Sequence, residues 1–136
     1  MSSPTSDQRA DLRVLIADDE PDVRLLLRLG LRHHNIEVIA EAANGLEVIE
    51  ACAVDPPDAM VLDLLMPRMN GFEVIPRLQR DHPEIGIVAY TAVAGDFVRR
   101  EMARLNIPLL LKSGDSAPLA DALHAAARAN AAAATD

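Results

Sequence analysis

The feature that most restricts how this chain can fold is a set of short apolar runs separated by segments of helical period. The runs are RVLIA (13–17), EVIAE (37–41), AMVLD (59–63), GIVAYT (86–91) and IPLLLK (107–112). Each is nearly continuous in apolar residues instead of alternating with polar ones. That pattern marks strands covered on both faces, as in a parallel sheet between layers of helices. In the first intervening segment, 21–33, Val23, Leu26, Leu27, Gly30 and Leu31 make one apolar face, and Arg24, Arg28 and Arg32 recur every fourth residue as the solvated one. Asn44 is placed to cap a second helix carrying Leu46, Ile49 and Ala53. Asn70 caps a third, running to about His82, with Pro76 set to kink or distort it. Asp96 opens a fourth through about Leu105, and Ser116 caps a fifth along which Leu119, Leu123 and Ala126 align.

Five strands alternating strictly with five helices predict an α/β fold with a parallel sheet wrapped on both sides. Right-handed crossovers and the length of the chain select the flavodoxin-like, doubly wound arrangement with strand order 2-1-3-4-5.

The totals narrow the function. The 136 residues make about one domain, half of them hydrophobic but only 2% aromatic, so the core must be aliphatic. A formal net charge of −8 argues against direct binding of nucleic acid or an anionic membrane by this domain, and suits a protein that handles cations. Cys52 is the single cysteine, which excludes an internal disulfide and disfavours a thiolate metal site; a reducing cytoplasm fits. No run approaches the ~18 apolar residues that a membrane span needs. The polar residues 1–11 lack the apolar stretch of a secretory signal and read as a disordered segment. Residues 12–129 read as the domain, and 130–136 as an alanine-rich tail.

Parallel strands share one C-terminal edge, where ligands of open α/β sheets bind near the switch point between strands 1 and 3. At that rim Asp18, Asp19 and Glu20 follow strand 1, while Asp63 ends strand 3, Thr91 strand 4 and Lys112 strand 5. Strand 2 ends in Glu41, to which no role is assigned. Each of these residues also has a plain structural reading: an acid before Pro21 caps a helix, Asp63 caps the next loop, Thr91 ends a strand, and Lys112 pairs with a rim acid. Taken together, carboxylates gathered at one point repel unless a cation lies between them, and a hard divalent ion such as Mg2+ with oxygen ligands resolves this. Asp63 is then a carboxylate nucleophile able to form an acyl phosphate, with Thr91 and Lys112 as hydroxyl and ammonium for phosphoryl oxygens. The loop LLMPRMNG, punctuated by Pro67 and Gly71, leaves the Leu65 carbonyl free to complete a metal shell.

The stretches LIADDEPDVRLLL, DAMVLDLLMPRMNGFEVI, YTA and the lysine of LLLKSG resemble the receiver domain of bacterial two-component response regulators. Asp18, Asp63, Thr91 and Lys112 follow one another at 45, 28 and 21 residues, and the likeness covers about residues 12–129. It implies that Asp63 is the phosphoacceptor, that Asp18, Asp19, Asp63 and the Leu65 carbonyl hold Mg2+, and that Thr91 and Lys112 form the switch. It also implies phosphotransfer from a sensor histidine kinase or a histidine phosphotransfer protein, slow self-catalysed hydrolysis, and no separate enzymatic activity. A face built from helix 4, strand 5 and helix 5 would meet a downstream protein or a second copy. The chain would act alone or as the N-terminal part of a DNA-binding regulator.

Three positions, Ser113, Leu110 and Leu65, depart from the family pattern. Ser113 follows the lysine where proline is common, predicting a looser loop, and Leu110 stands in a strand that often brings a switching Tyr or Phe. Tyr90 adjoins Thr91, but strand alternation points it the other way. Apolar Leu65 is expected to slow the hydrolytic water. Two alternatives remain. One is a Mg2+-dependent phosphohydrolase of the haloacid-dehalogenase type, which would need a second Asp at position 65. The other is a receiver-shaped scaffold that takes no phosphate.

Overall fold

The computed structural model describes residues 11–92 and 94–134. Along the chain run β1 (Leu12–Ala17), α1 (Pro21–Arg32), β2 (Ile36–Ala42), α2 (Gly45–Val54), β3 (Ala59–Leu62), α3 (Gly71–Asp81), β4 (Gly86–Thr91), α4 (Asp96–Arg104), β5 (Leu109–Leu111) and α5 (Ala117–Ala134). The strands form one parallel sheet in the order β2-β1-β3-β4-β5. Fold class and strand order therefore stand as the sequence predicts.

The runs are buried in the way a doubly covered sheet requires. Every residue of β3 and β4 is buried, whereas the edge strands β2 and β5 are only partly covered. Leu15, Met60, Leu62 and Ile87 pack on one face against Val48 and Cys52 of α2, Val74, Ile75 and Leu78 of α3, and Met102 of α4. Val14, Ile16, Val61 and Val88 pack on the other against Leu27 and Leu31 of α1 and Leu119, Leu123 and Ala126 of α5. The core is aliphatic, with Tyr90 its buried aromatic among the described residues. Each such aliphatic side chain contributes about 1.5–3 kcal/mol by leaving water.

Two helices are rolled away from the faces that periodicity suggests. In α1, Leu26 is 68% exposed, and Leu27 and Leu31 carry the contact. Arg24 and Arg28 flank Leu27 on the side opposite Leu26, and both bond Glu41 at the end of β2, so the arginine flank turns toward the sheet. In α2 the buried residues are Gly45, Val48 and Cys52, while Leu46 is 39% exposed and Ala53 faces out. Here the Gly45 N–H donates to the Met69 carbonyl at 2.7 Å, and a Cβ on Gly45 would lie 2.4 Å from that oxygen. That close approach sets the roll of the helix.

The helix starts follow the capping chemistry in part. Asn44 accepts from the Glu47 N–H, and Asn70 forms a full capping box with Glu73. Helix α3 runs unbroken through Pro76. At α5 the Ser116 carbonyl accepts the Ala120 N–H, but the side-chain oxygen that takes up a free N–H there belongs to Asp115, which accepts from Ala117. Helix α5 extends to Ala134, through most of the segment read as a tail. Asp11 is tied by its N–H to the Asn35 carbonyl; the rest of the expected N-terminal segment lies outside the described residues. Among the described residues no helix is long and apolar enough to cross a membrane.

Candidate functional site: an acid-rich rim around Asp63

Strands β1 and β3 lie side by side, Ala17 paired with Leu62, and the Asp63 N–H continues the ladder to the Ala17 carbonyl at 2.9 Å. Asp18 and Asp63 therefore emerge from adjacent strand ends. Both are buried, at 1% and 5% exposure. Each uses one carboxylate oxygen locally: Asp18 Oδ1 accepts the Glu20 N–H at 2.9 Å, and Asp63 Oδ1 accepts the Leu65 N–H at 3.3 Å. These bonds to the backbone two residues on are Asx turns, which fix the side-chain rotamers. Glu20, the residue that precedes α1, makes no side-chain cap, so the helix-start reading of the acids holds only in the Asp18 turn.

The second oxygens converge. Lys112 Nζ lies 2.7 Å from Asp18 Oδ2 and 3.2 Å from Asp63 Oδ2. Its backbone is fixed too, the Lys112 N–H donating to the Thr91 carbonyl at 2.8 Å. Thr91 itself is 2% exposed, on the strand next to Asp63. Burial lifts the Asp63 carboxyl above its ordinary 3.8; the Leu65 N–H opposes this, the Asp18 charge adds to it, and the Lys112 ammonium offsets part. Burial pulls the Lys112 ammonium down, but the two carboxylates outweigh it and hold the group above its ordinary 10.5.

One ammonium does not balance the acids present. Carboxylate oxygens of Asp18, Asp19 and Glu20 all lie within 4.8 Å of one another, the last two exposed. Asp63 stands outside that trio and meets Asp18 through Lys112. Asp18 Oδ2 is buried and has no aligned hydrogen-bond donor, so its contact with Lys112 is one of charge without direction. An all-oxygen donor set, an excess of negative charge and a buried Asp18 oxygen whose ammonium neighbour makes no aligned hydrogen bond to it fit a hard divalent cation such as Mg2+. Glu20 is an addition to the expected donors. Its adjacency to Asp19 was the signal.

The loop after Asp63 is pinned by glycine. The Gly71 N–H donates to the Leu64 carbonyl at 3.1 Å, and a Cβ at Gly71 would lie 2.8 Å from Leu64 Cα and 2.9 Å from the Asp63 carbonyl. Arg68 in the same loop has φ 68°, a left-handed conformation uncommon for residues other than glycine or asparagine. Leu65 is 67% exposed, its side chain turned to solvent beside the site.

Three residues near the rim have roles the sequence reading did not assign. Glu41 accepts from Arg24 Nε at 3.0 Å and also binds Arg28. Arg24 in turn donates to the Asp18 carbonyl at 2.6 Å, so a residue read as part of a solvated face buttresses the first acid. Tyr90 does point into the α1/α5 side of the core, as alternation predicts, yet its hydroxyl accepts the Ser113 N–H at 3.0 Å and donates to the Ser113 carbonyl at 2.9 Å. Ser113 Oγ adds a local turn with Asp115. The segment after β5 is thus tied down where a looser loop is the expectation from sequence.

The family model described as "Response regulator receiver domain" matches residues 14–124. Among curated proteins, the chain is 41% identical over 93 residues to protein-glutamate methylesterase/protein-glutamine glutaminase 4 of Geobacter metallireducens, covering 68% of this chain and 26% of the relative. It is 34% identical over 95 residues to the transcriptional regulatory protein PdtaR of Mycobacterium tuberculosis, covering 67% and 46%. The chain spans a quarter to a half of the length of these relatives. Among solved structures, RcsB of Salmonella enterica serovar Typhimurium, bound to promoter rprA with the phosphomimetic BeF3−, superposes with TM-score 0.77 at 26% identity, covering 87% of this chain and 99% of that one. A LuxR-family two-component response regulator of Aurantimonas sp. superposes with TM-score 0.79 at 26% identity, covering 87% and 86%. These likenesses do not favour a phosphohydrolase of the haloacid-dehalogenase type. This chain belongs to the response regulator receiver domain family, the signal-receiving part of two-component systems.

Proposed function

We propose that the chain is a phosphorylation-activated switch in which Asp63 takes a phosphoryl group from a histidine on a sensor kinase or a histidine phosphotransfer protein. In the transfer, a carboxylate oxygen of Asp63 attacks phosphorus, the O–P bond forms, the N–P bond breaks, and its electron pair stays on the departing imidazole. The observation that carries this reading is the convergence of Asp18 Oδ2 and Asp63 Oδ2 on Lys112 Nζ. It supplies a buried nucleophile, a cation already in reach of the oxygens that arrive, and an acid excess that needs a further cation.

Asp18, Asp19, Asp63 and the Leu65 carbonyl would hold Mg2+, with Glu20 close enough to take part. When bound, the ion neutralises the acids and the charge of the incoming phosphoryl oxygens. Lys112 would move its ammonium from Asp18 to a phosphoryl oxygen, and Thr91 would donate its hydroxyl to another. Both residues lie on the β4–β5 side, so their movement biases the α4-β5-α5 face. Exposed Leu111 on β5 gives that face an apolar residue, and β5 is an edge strand. A downstream protein or a second copy would bind there, and not nucleic acid or membrane, given the −8 charge. The output is either stand-alone or that of a domain that follows in a DNA-binding regulator; RcsB, bound to its promoter, supports the latter form. A cytoplasmic place and the absence of a separate enzymatic activity belong to the same reading. The methylesterase relative covers a much longer chain.

The test is incubation with acetyl phosphate and Mg2+ followed by intact-mass measurement. One phosphoryl group is expected, lost on omission of Mg2+ and in Asp63→Ala. No mass gain would favour the unphosphorylated scaffold, and steady turnover of phosphomonoesters would favour the phosphohydrolase. Leu65→Asn is expected to shorten the lifetime of the phosphorylated form; an unchanged lifetime rejects a role for Leu65 in excluding water.

A further inference from the structure

We infer that Tyr90 is a positioning residue for Lys112: its hydroxyl grips the Ser113 peptide and so sets where the ammonium stands relative to Asp63. This deepens the phosphoacceptor reading and rests on it. Strand β5 is only Leu109–Leu111, partly exposed at the edge of the sheet, and Lys112 lies beyond its end. A side chain as long as lysine can hold a fixed point only if its backbone is fixed. The Lys112 N–H is bonded to Thr91. The next residue has no further strand to pair with, and there the Tyr90 phenol takes the place of a ladder partner. It accepts the Ser113 N–H at 3.0 Å and donates to the Ser113 carbonyl at 2.9 Å. The ring is 4% exposed and packed among the buried residues of the α1/α5 side, so the hydroxyl has a rigid mount.

A proline after Lys112 has no N–H to give, so the Tyr90 hydroxyl finds its donor because the residue there, Ser113, is not a proline. Two neighbours on β4 thereby serve one lysine: Thr91 through its carbonyl and Tyr90 through its phenol.

The experiment is a 19F NMR titration of beryllofluoride, a phosphoryl mimic, at fixed Mg2+, on the full chain and on Tyr90→Phe, Lys112→Met and the double variant. Tyr90→Phe keeps the ring and deletes one oxygen. Its beryllofluoride affinity is expected to fall about tenfold, the scale of one hydrogen bond, while Mg2+ affinity measured without the mimic does not weaken. In the Lys112→Met background the same change should have no further effect, because it acts through the ammonium. Wild-type affinity in Tyr90→Phe, or a loss that persists undiminished without Lys112, overturns the proposal, the second by showing a general structural role. Should Tyr90→Phe fail to fold, Ser113→Ala, which keeps the peptide gripped by the phenol, must retain wild-type binding; a loss there rejects the peptide bonds as the device. Failure of the wild type to bind the mimic overturns the phosphoacceptor reading itself.

Discussion

The two edge strands of the sheet end in mirror-image ion clusters. At β2 one anion, Glu41, is held by two cations, Arg24 and Arg28; at β5 one cation, Lys112, is held by two anions, Asp18 and Asp63. The first cluster is closed. Glu41 keeps 28% of its side chain in solvent, its charge is more than matched, and one of its arginines, Arg24, serves a backbone carbonyl as well. The second is open. Its acids are buried, Asp19 and Glu20 add charge beside them, and one Asp18 oxygen lacks a directed donor. Exposed, balanced charges hold elements together and contribute little energy. Buried, unbalanced ones cost free energy that a ligand recovers, and that is the physical mark of a site.

Removing the central charge of each cluster should separate them most. Lys112→Met leaves Asp18 and Asp63 facing each other, and a loss of about 3 kcal/mol is expected without divalent ions. Mg2+ should restore much of it, so the difference between melts with and without Mg2+ is larger for this variant than for wild type. A comparable loss in Glu41→Gln, or no recovery with Mg2+, would erase the contrast. Next in size is Gly71→Ala. Its Cβ would press on the Asp63–Leu64 backbone, and a loss of about 1–3 kcal/mol, read by denaturant unfolding, should come with weaker beryllofluoride binding.

Asp63→Asn sharpens the same point in the opposite direction. Burial first, and the Asp18 charge with it, put the Asp63 carboxyl above its ordinary 3.8, so on acidification the folded state takes up this proton before the unfolded chain does. The ionised carboxylate therefore costs stability at neutral pH. The asparagine variant should be the more stable at pH 7, and its advantage should fade as pH falls through the carboxylate range; a lead that grows on acidification contradicts the sign. Smallest are the closed-cluster changes. Arg28→Ala should cost under about 1 kcal/mol. Arg24→Ala should cost somewhat more and weaken Mg2+ binding as well, because only Arg24 also holds the Asp18 carbonyl; equal effects would deny it that second role.

Most of the fold was legible because it rests on local pattern. Runs such as AMVLD and GIVAYT are short, apolar and bounded by turn residues, and strict alternation with helices leaves few topologies. Helix roll was not legible, because it is set by partners distant in sequence. Leu26 loses its place in the core to the pull of Glu41 on Arg24 and Arg28, and Leu46 to the seating of Gly45 on Met69. The rim divides in the same way. Asp18, Asp63 and Lys112 could be brought together from sequence because parallel strands must end on one edge. Tyr90 could not, since its hydroxyl acts across the end of the sheet from the side that alternation assigns to the core. Glu41, on an edge strand, shows its use only once α1 is laid against it.

The most direct test is to locate the phosphoryl group. The chain would be phosphorylated with acetyl phosphate and Mg2+, reduced with borohydride to convert the acyl phosphate to an alcohol, and mapped by peptide mass spectrometry. Reduction confined to Asp63, absent without Mg2+ and strongly diminished in Asp18→Asn, is the expected result. Labelling at Asp18, Asp19 or Glu20 instead, or labelling of Asp63 that ignores both Mg2+ and Asp18, would contradict the assignment of the open cluster as the phosphoryl site.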